Sequence, residues 1–188
     1  MGRTTQTRLT MVALSIFAAI GCWFIIAIYF NTQNILVRSI ARGDLASVAK
    51  YLDHGGDPNL VVCNLERRMA MPILQFSIQQ QNLEITTYLL KRGANPNLGS
   101  YNKQTAIMRV VGVGMTPNKE DTLLELLLPV SDLTAKDDAG WTLLHHVAAF
   151  GTSKQYNRIL RIAPELSEVK TNSGHLPEEL RRFHHHRN

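Results

Sequence analysis

The sequence predicts an all-α chain, one N-terminal transmembrane helix followed by a solenoid of paired helices. Three observations carry this expectation: an uncharged apolar run over Leu9–Phe30, residue patterns that return at fixed offsets, and a composition of 45% hydrophobic against 19% charged residues in 188 positions. That balance supplies a core and excludes a disordered tail as the main content. The length allows one ordinary domain plus an appendage. Two cysteines, Cys22 and Cys63, cannot make a disulfide scaffold. The formal charge is +5, but Arg3 and Arg8 precede the apolar run and Arg181, Arg182 and Arg187 lie at the far end. The body between them is close to neutral. A surface that tracks phosphates needs clustered cations, so nucleic acid is not an expected partner.

Residues 1–8 read as a short tail and 9–30 as the membrane span. The run from Leu9 to Phe30 contains no charged side chain. As a helix it is about 33 Å long, enough for a hydrocarbon core of about 30 Å. A helix satisfies its own backbone polar groups, as lipid demands. Trp23 and Tyr29 lie toward its second end, where amphipathic rings suit the interface. A buried core helix of this length would show a polar face, which the run lacks. Ala19-Ile20-Gly21-Cys22 loosely resembles a lipoprotein cleavage box. The apolar run nevertheless continues to Phe30, beyond the roughly 7–15 residues of a cleavable core. The expectation is an uncleaved, single-pass anchor. Arg3 and Arg8 place the short N-terminus inside the cell and the domain in the periplasm of a bacterium. Arg38, Arg42 and Lys50 on the other flank leave a cytoplasm-facing domain as the alternative.

Residues 31–183 read as the repeat domain and 184–188 as a tail. Asn34-Ile35-Leu36-x-x-Ser39-Ile40 returns as Pro72-Ile73-Leu74-x-x-Ser77-Ile78, and Leu52–Asn59 returns as Leu90–Asn97 at the same offset. Thr105-Ala106-Ile107-Met108 and Thr142-Leu143-Leu144-His145 continue the series, and Gly174–Leu180 is a truncated last copy. The step from a helix-opening residue to the Asp, Asn or Glu beyond the second helix is the same for Asn34→Asp57, Pro72→Asn95 and Thr142→Glu165, and longer for Thr105→Asp132. The return step is the same for Asn95→Thr105 and Asp132→Thr142, slightly longer for Glu165→Leu176 and clearly longer for Asp57→Pro72. The spacing therefore predicts extra residues before Pro72 and a further insertion at Val111–Asn118. Second helices follow from apolar residues every three to four positions: Leu45, Val48, Ala49 and Leu52; Leu83, Ile85, Leu89 and Leu90; Leu123, Leu124, Leu126, Leu127 and Leu128. One helix pair cannot hide its apolar face, whereas about four side by side can, closed by a cap over Leu176–Phe183 that starts with Pro177, Glu178 and Glu179.

These residues resemble the ankyrin repeat, whose signature opens one helix with T-P-L-H-x-A and leads from the second helix through G-A-D-x-N to a β-turn finger. The match is good at Thr142–His145 and at Gly93–Asn97, and only fair elsewhere. The resemblance implies an ankyrin-repeat solenoid with β-turn fingers, no enzymatic activity of its own, and a protein partner held by finger loops and the concave helix face. Carried over by position, the contact residues are Arg68, Met69 and Met71 on the first finger, Tyr101, Asn102 and Gln104 on the second, Asp138 and Trp141 on the third, and Arg42, Gln79, Gln80 and Phe150 at first-helix ends. Arg, Tyr and Trp often dominate interface energetics. Each has a structural alternative: Trp141 stacked between fingers, Phe150 closing a turn, Arg67-Arg68 a solvated tip. The resemblance also gives His145 a structural task, holding neighbouring loops by hydrogen bonds.

No motif for catalysis is present: no G-x-S-x-G, no H-E-x-x-H, no CxxC pair and no phosphate loop. Gly112-Val113-Gly114 falls between helices, with Pro117 where a third glycine would stand. His145 and His146 point about 100° apart on a helix and do not share a metal easily. His184-His185-His186 reads as a polar tail, and Val61 and Val62 give Cys63 nothing to depress its pKa. No cofactor, metal or small-molecule substrate is expected. The functional expectation is a membrane-anchored protein-binding module, in its sharper form an inhibitor or immunity-type protein occluding a toxin or an enzyme. A membrane scaffold with the domain facing the cytoplasm is the alternative.

Overall fold

The structure, a computed structural model, describes residues 33–64, 69–112 and 115–185. The apolar run at 9–30 and Arg68 lie outside them. Among the described residues no helix is long and apolar enough to cross a membrane. The chain divides into two compact units, Met1–Arg38 and Ser39–Asn188, and the second is a mostly helical domain with one small hairpin. Helix α1 covers 33–42. Then follow α2 (Leu45–Asp53), β1 (Val61–Asn64), β2 (Met69–Pro72), α3 (Ile73–Gln79), α4 (Leu83–Lys91), α5 (Ala106–Gly112), α6 (Pro117–Leu127), α7 (Leu143–Phe150), α8 (Ser153–Ile162) and α9 (Pro177–His185). Short 3-10 turns at Leu128–Val130 and Pro164–Glu168 follow α6 and α8.

Local chemistry sets the helix ends. Asp44 and Asn82 accept the backbone N–H of Ser47 and Ile85 at 3.1 and 3.0 Å, which starts α2 and α4. Thr152 and Gln155 cap α8 reciprocally: Thr152 N–H donates to Gln155 Oε1 at 2.8 Å and Gln155 N–H to Thr152 Oγ1 at 3.2 Å. Gly55 and Gly93 follow α2 and α4 with φ of +83° and +86°, a left-handed turn that a side chain resists by about 1 kcal/mol. The apolar periodicity becomes core: Val48, Leu52, Ile85, Leu89, Leu123, Leu124 and Leu127 are buried, with Leu45, Leu83, Leu90 and Leu126 at its margin.

The helices pack in chain order along two rows. In one, α3 lies on α5, α5 on α7 and α7 on α9; in the other, α2 lies on α4 and α4 on α6. Hydrogen bonds recur along the same direction. Asp57, Asn95 and Asp132 each accept, through Oδ1, the N–H two positions on. Asn59 and Asn97 reach forward to the N–H of Asn95 and Asp132 at 2.7 and 2.8 Å. The loops before α5, α7 and α9 close with a matching bond: Ser100 N–H to the Gln104 carbonyl, Asp137 to Trp141 and Thr171 to His175. The loops also join to one another, since the N–H of Tyr101, Asp138 and Asn172 donates to the carbonyls of Ala70, Asn102 and Ala139.

One region corrects the all-α expectation. The extra residues before Pro72 fold as an antiparallel hairpin that pairs Val61 with Pro72, Val62 with Met71, Cys63 with Ala70 and Asn64 with Met69. Alternating side chains explain it: Val62 is buried, while Val61 and Cys63 face solvent. Pro72 sits at the strand end, where its missing N–H is not needed. Part of the second insertion lengthens α6, which begins at Pro117 and runs 11 residues against nine in α4. At the far end α9 runs to His185, into the expected tail.

Candidate functional site

The loops before α5 and α7, with the outward positions of those helices, form the richest side-chain cluster among the described residues. It begins at Asp137. Through Oδ1 its carboxylate accepts the N–H groups of Ala139 and Trp141, both at 2.9 Å, and through Oδ2 it meets His146 Nε2 at 3.0 Å. Both partners are nearly sealed, with side-chain exposures of 7% and 4%. Burial pushes His146 below its ordinary pKa, and the Asp137 charge pulls the other way. The Trp141 ring lies edge-on to His146 at 5.3 Å and stacks on Phe150 at 6.2 Å. Phe150 remains 57% exposed.

His145 holds the next loop. Thr142 N–H donates to its Nδ1 at 3.1 Å, and the Thr142 hydroxyl lies 2.9 Å from the same atom. Nδ1 is therefore an acceptor, so the proton sits on Nε2, which donates to the His175 carbonyl at 3.3 Å. Both ring nitrogens are engaged and the ring is fully buried, which lowers the pKa. The geometry agrees with the loop-holding task expected for this residue.

Arg109 stands on α5 where His146 stands on α7. Its Nη2 donates to Ser100 Oγ at 3.3 Å, and its Nε is buried without a hydrogen-bond partner. Burial lowers its pKa, and its charge reaches both Tyr101 and His146. Tyr101 is 50% exposed. Sequence reading missed Arg109. The signal that marks it is positional: counting back from the His146–Asp137 pair, Arg109 faces Ser100 where a carboxylate would stand.

The expected contact residues fall into groups. Tyr101, Trp141 and Phe150 belong to this cluster. Asn102 and Gln104 build the loop instead: Asn102 Oδ1 accepts the Ser100 hydroxyl at 2.6 Å, and the Gln104 carbonyl accepts Gln75 Nε2 at 2.8 Å. Asp138 is exposed and pairs with Lys103 at 3.0 Å. Gln79 is half-buried and Gln80 exposed at the end of α3, and Arg42 is exposed at the end of α1. Met71 is a correction: it is 4% exposed, because the hairpin turns it inward beside Val62. Met69 lies in β2, opposite Asn64.

A concavity of about 280 Å³ lies between α4 and α6, lined by Thr87, Leu90, Lys91, Leu126 and Val130. Among the described residues Lys91 is its one ionisable lining group, which makes no acid–base pair. Among the described residues no three His, Cys, Asp or Glu side chains converge as a metal site. No protein-family model matches the chain, and no curated protein matches it.

Proposed function

We propose that the chain is a non-enzymatic protein-binding module, an ankyrin-type solenoid tethered to a membrane through residues 9–30. One observation carries the reading: turn and loop-closing hydrogen bonds return at nearly constant spacing, at Asp57, Asn95 and Asp132 and at Ser100, Asp137 and Thr171. A solenoid held that way keeps its loop row and first-helix row open to another macromolecule. The exposed rings of Tyr101 and Phe150 and the stacked Trp141 supply large, stiff contact area on that row. In its sharper form the module occludes a toxin or an enzyme.

Photo-cross-linking tests this. A benzophenone side chain placed at Tyr101 or Phe150 is expected to trap one protein in cells, and the same probe at Val130 or Ile162, which are also exposed, is not. Equal adducts at all four positions, or none at the first two, would overturn the docking reading. A periplasmic reporter fused after Asn188 decides orientation separately.

A further inference from the structure

Equivalent positions in neighbouring helices treat charge differently. His146 has Asp137 at 3.0 Å, while Arg109 has the Ser100 hydroxyl at 3.3 Å. No carboxylate among the described residues pairs with Arg109, although Lys103, Lys154, Arg158 and Arg92 each have one. A guanidinium offers five N–H donors, and an anion is what a partly buried one lacks most. Tyr101 stands beside it, and the Trp141–Phe150 stack lies beyond His146. A partly buried cation beside the half-exposed Tyr101, with more rings past His146, fits an acidic side chain that has apolar neighbours.

Building on the proposed docking role, we infer that Arg109 anchors an Asp or Glu side chain of the bound protein, taken up between Tyr101 and the Trp141–Phe150 rings. Fork geometry lets Arg meet a carboxylate with two parallel bonds. The near-neutral body of the domain argues against an extended polyphosphate ligand.

The test pans the full chain in detergent micelles against two phage-displayed random-peptide libraries, one unrestricted and one lacking Asp and Glu. The expected result is enrichment from the unrestricted library alone, with an acidic residue common to the selected peptides. A synthetic peptide of that sequence should lose about tenfold or more in affinity for Arg109→Met. It should lose as much for Ser100→Asp, which gives Arg109 the internal carboxylate that His146 already has. Both variants should melt no lower than the parent. Equal enrichment from the acid-free library, unchanged affinity for both variants, a lowered melting point for Arg109→Met, or equally effective competition by an oligothymidylate would overturn the anchor. Those outcomes leave the docking row standing if Tyr101→Ala and Phe150→Ala still abolish binding. Enrichment from neither library, or peptides indifferent to Tyr101→Ala and Phe150→Ala, would sink the docking row and the anchor together.

Discussion

Helices α3, α5 and α7 open at matching places and finish their polar bookkeeping differently. Each has an opening residue and a side chain three positions on: Pro72 with Gln75, Thr105 with Met108, Thr142 with His145. In α7 the pair is complete, because imidazole accepts from Thr142 on one side and donates to the His175 carbonyl on the other. In α3 the amide reaches the next loop, with Nε2 donating to the Leu98 and Gln104 carbonyls at 2.7 and 2.8 Å. Its Oε1 is left buried and unpaired, because Pro72 has neither an N–H nor a hydroxyl to offer. In α5 the thioether of Met108 does neither job, and Thr105 Oγ1 is buried and unpaired. One helix opening is self-sufficient while its neighbours carry unmet polar capacity. The difference teaches that the same backbone plan tolerates orphaned polar atoms wherever apolar packing is dense, and α5, with Ala106, Ile107, Met108 and Val110 all nearly sealed, is such a place.

The hardest blow to this contrast falls on the loop before α7. Asp137→Ala strands two backbone N–H groups and the His146 ring, and is expected to lower unfolding free energy by about 3–5 kcal/mol. Ser100→Ala, at the matching place, removes one good hydroxyl bond, to Asn102, and should lower it by about 1 kcal/mol. Chemical denaturation of the two variants in micelles measures both. Similar losses would mean that the two loops are built alike after all.

Next in size, His145→Ala is expected to lower stability by about 2–3 kcal/mol, since it unpairs Thr142 and leaves a cavity. His145→Gln should recover much of that, because an amide can accept from Thr142 N–H and donate to the His175 carbonyl as the ring does. Acid sharpens the same contrast. His145 and His146 are both held below the ordinary histidine pKa by burial. Their stabilisation is complete above about pH 6.5, where the unfolded chain is neutral at these rings, and declines as pH falls through that value toward their folded pKa values. The thermal midpoint should therefore drop between pH 7.5 and 5, as calorimetry would show. A His145→Gln, His146→Gln double variant should flatten the drop. Carboxylates such as Glu120, whose pKa burial raises, act in the opposite sense and remain in both proteins.

How much of this was legible differs by residue. The second-helix core was, because Val48, Leu52, Ile85 and Leu89 obey helical spacing and nothing competes with it. The loop-holding role of His145 was expected only through the resemblance of Thr142–His145 to the ankyrin signature, and the bond to the His175 carbonyl agrees with it. The hairpin was not: Val61-Val62-Cys63 is too short for alternation to declare itself against a loop, and its strand pairing with Met69–Pro72 is a tertiary fact. Met71 was misplaced for the same reason, since the hairpin register decides which way it faces. Arg109 escaped because a single arginine in an apolar helix says nothing until Ser100 is found opposite it.

The smallest effect is the most discriminating. Met108→His would copy the α7 opening into α5. The new Nδ1 could accept from Thr105, and Nε2 could donate to the Trp141 carbonyl, the counterpart of the His175 carbonyl, which accepts the Asp137 N–H. Met108 is 1% exposed, so imidazole must fit a site shaped for an unbranched thioether and gives up some packing. One satisfied hydroxyl and one new loop bond are each worth about 1 kcal/mol against a packing loss of similar size. A net gain of about 1 kcal/mol is expected, read as a higher denaturation midpoint with unchanged slope. Met108→Leu keeps the apolar volume without polar atoms and should show no gain. If Met108→Leu matched Met108→His, the orphaned Thr105 hydroxyl would carry no penalty, and the distinction between complete and incomplete helix openings would lose its energetic meaning.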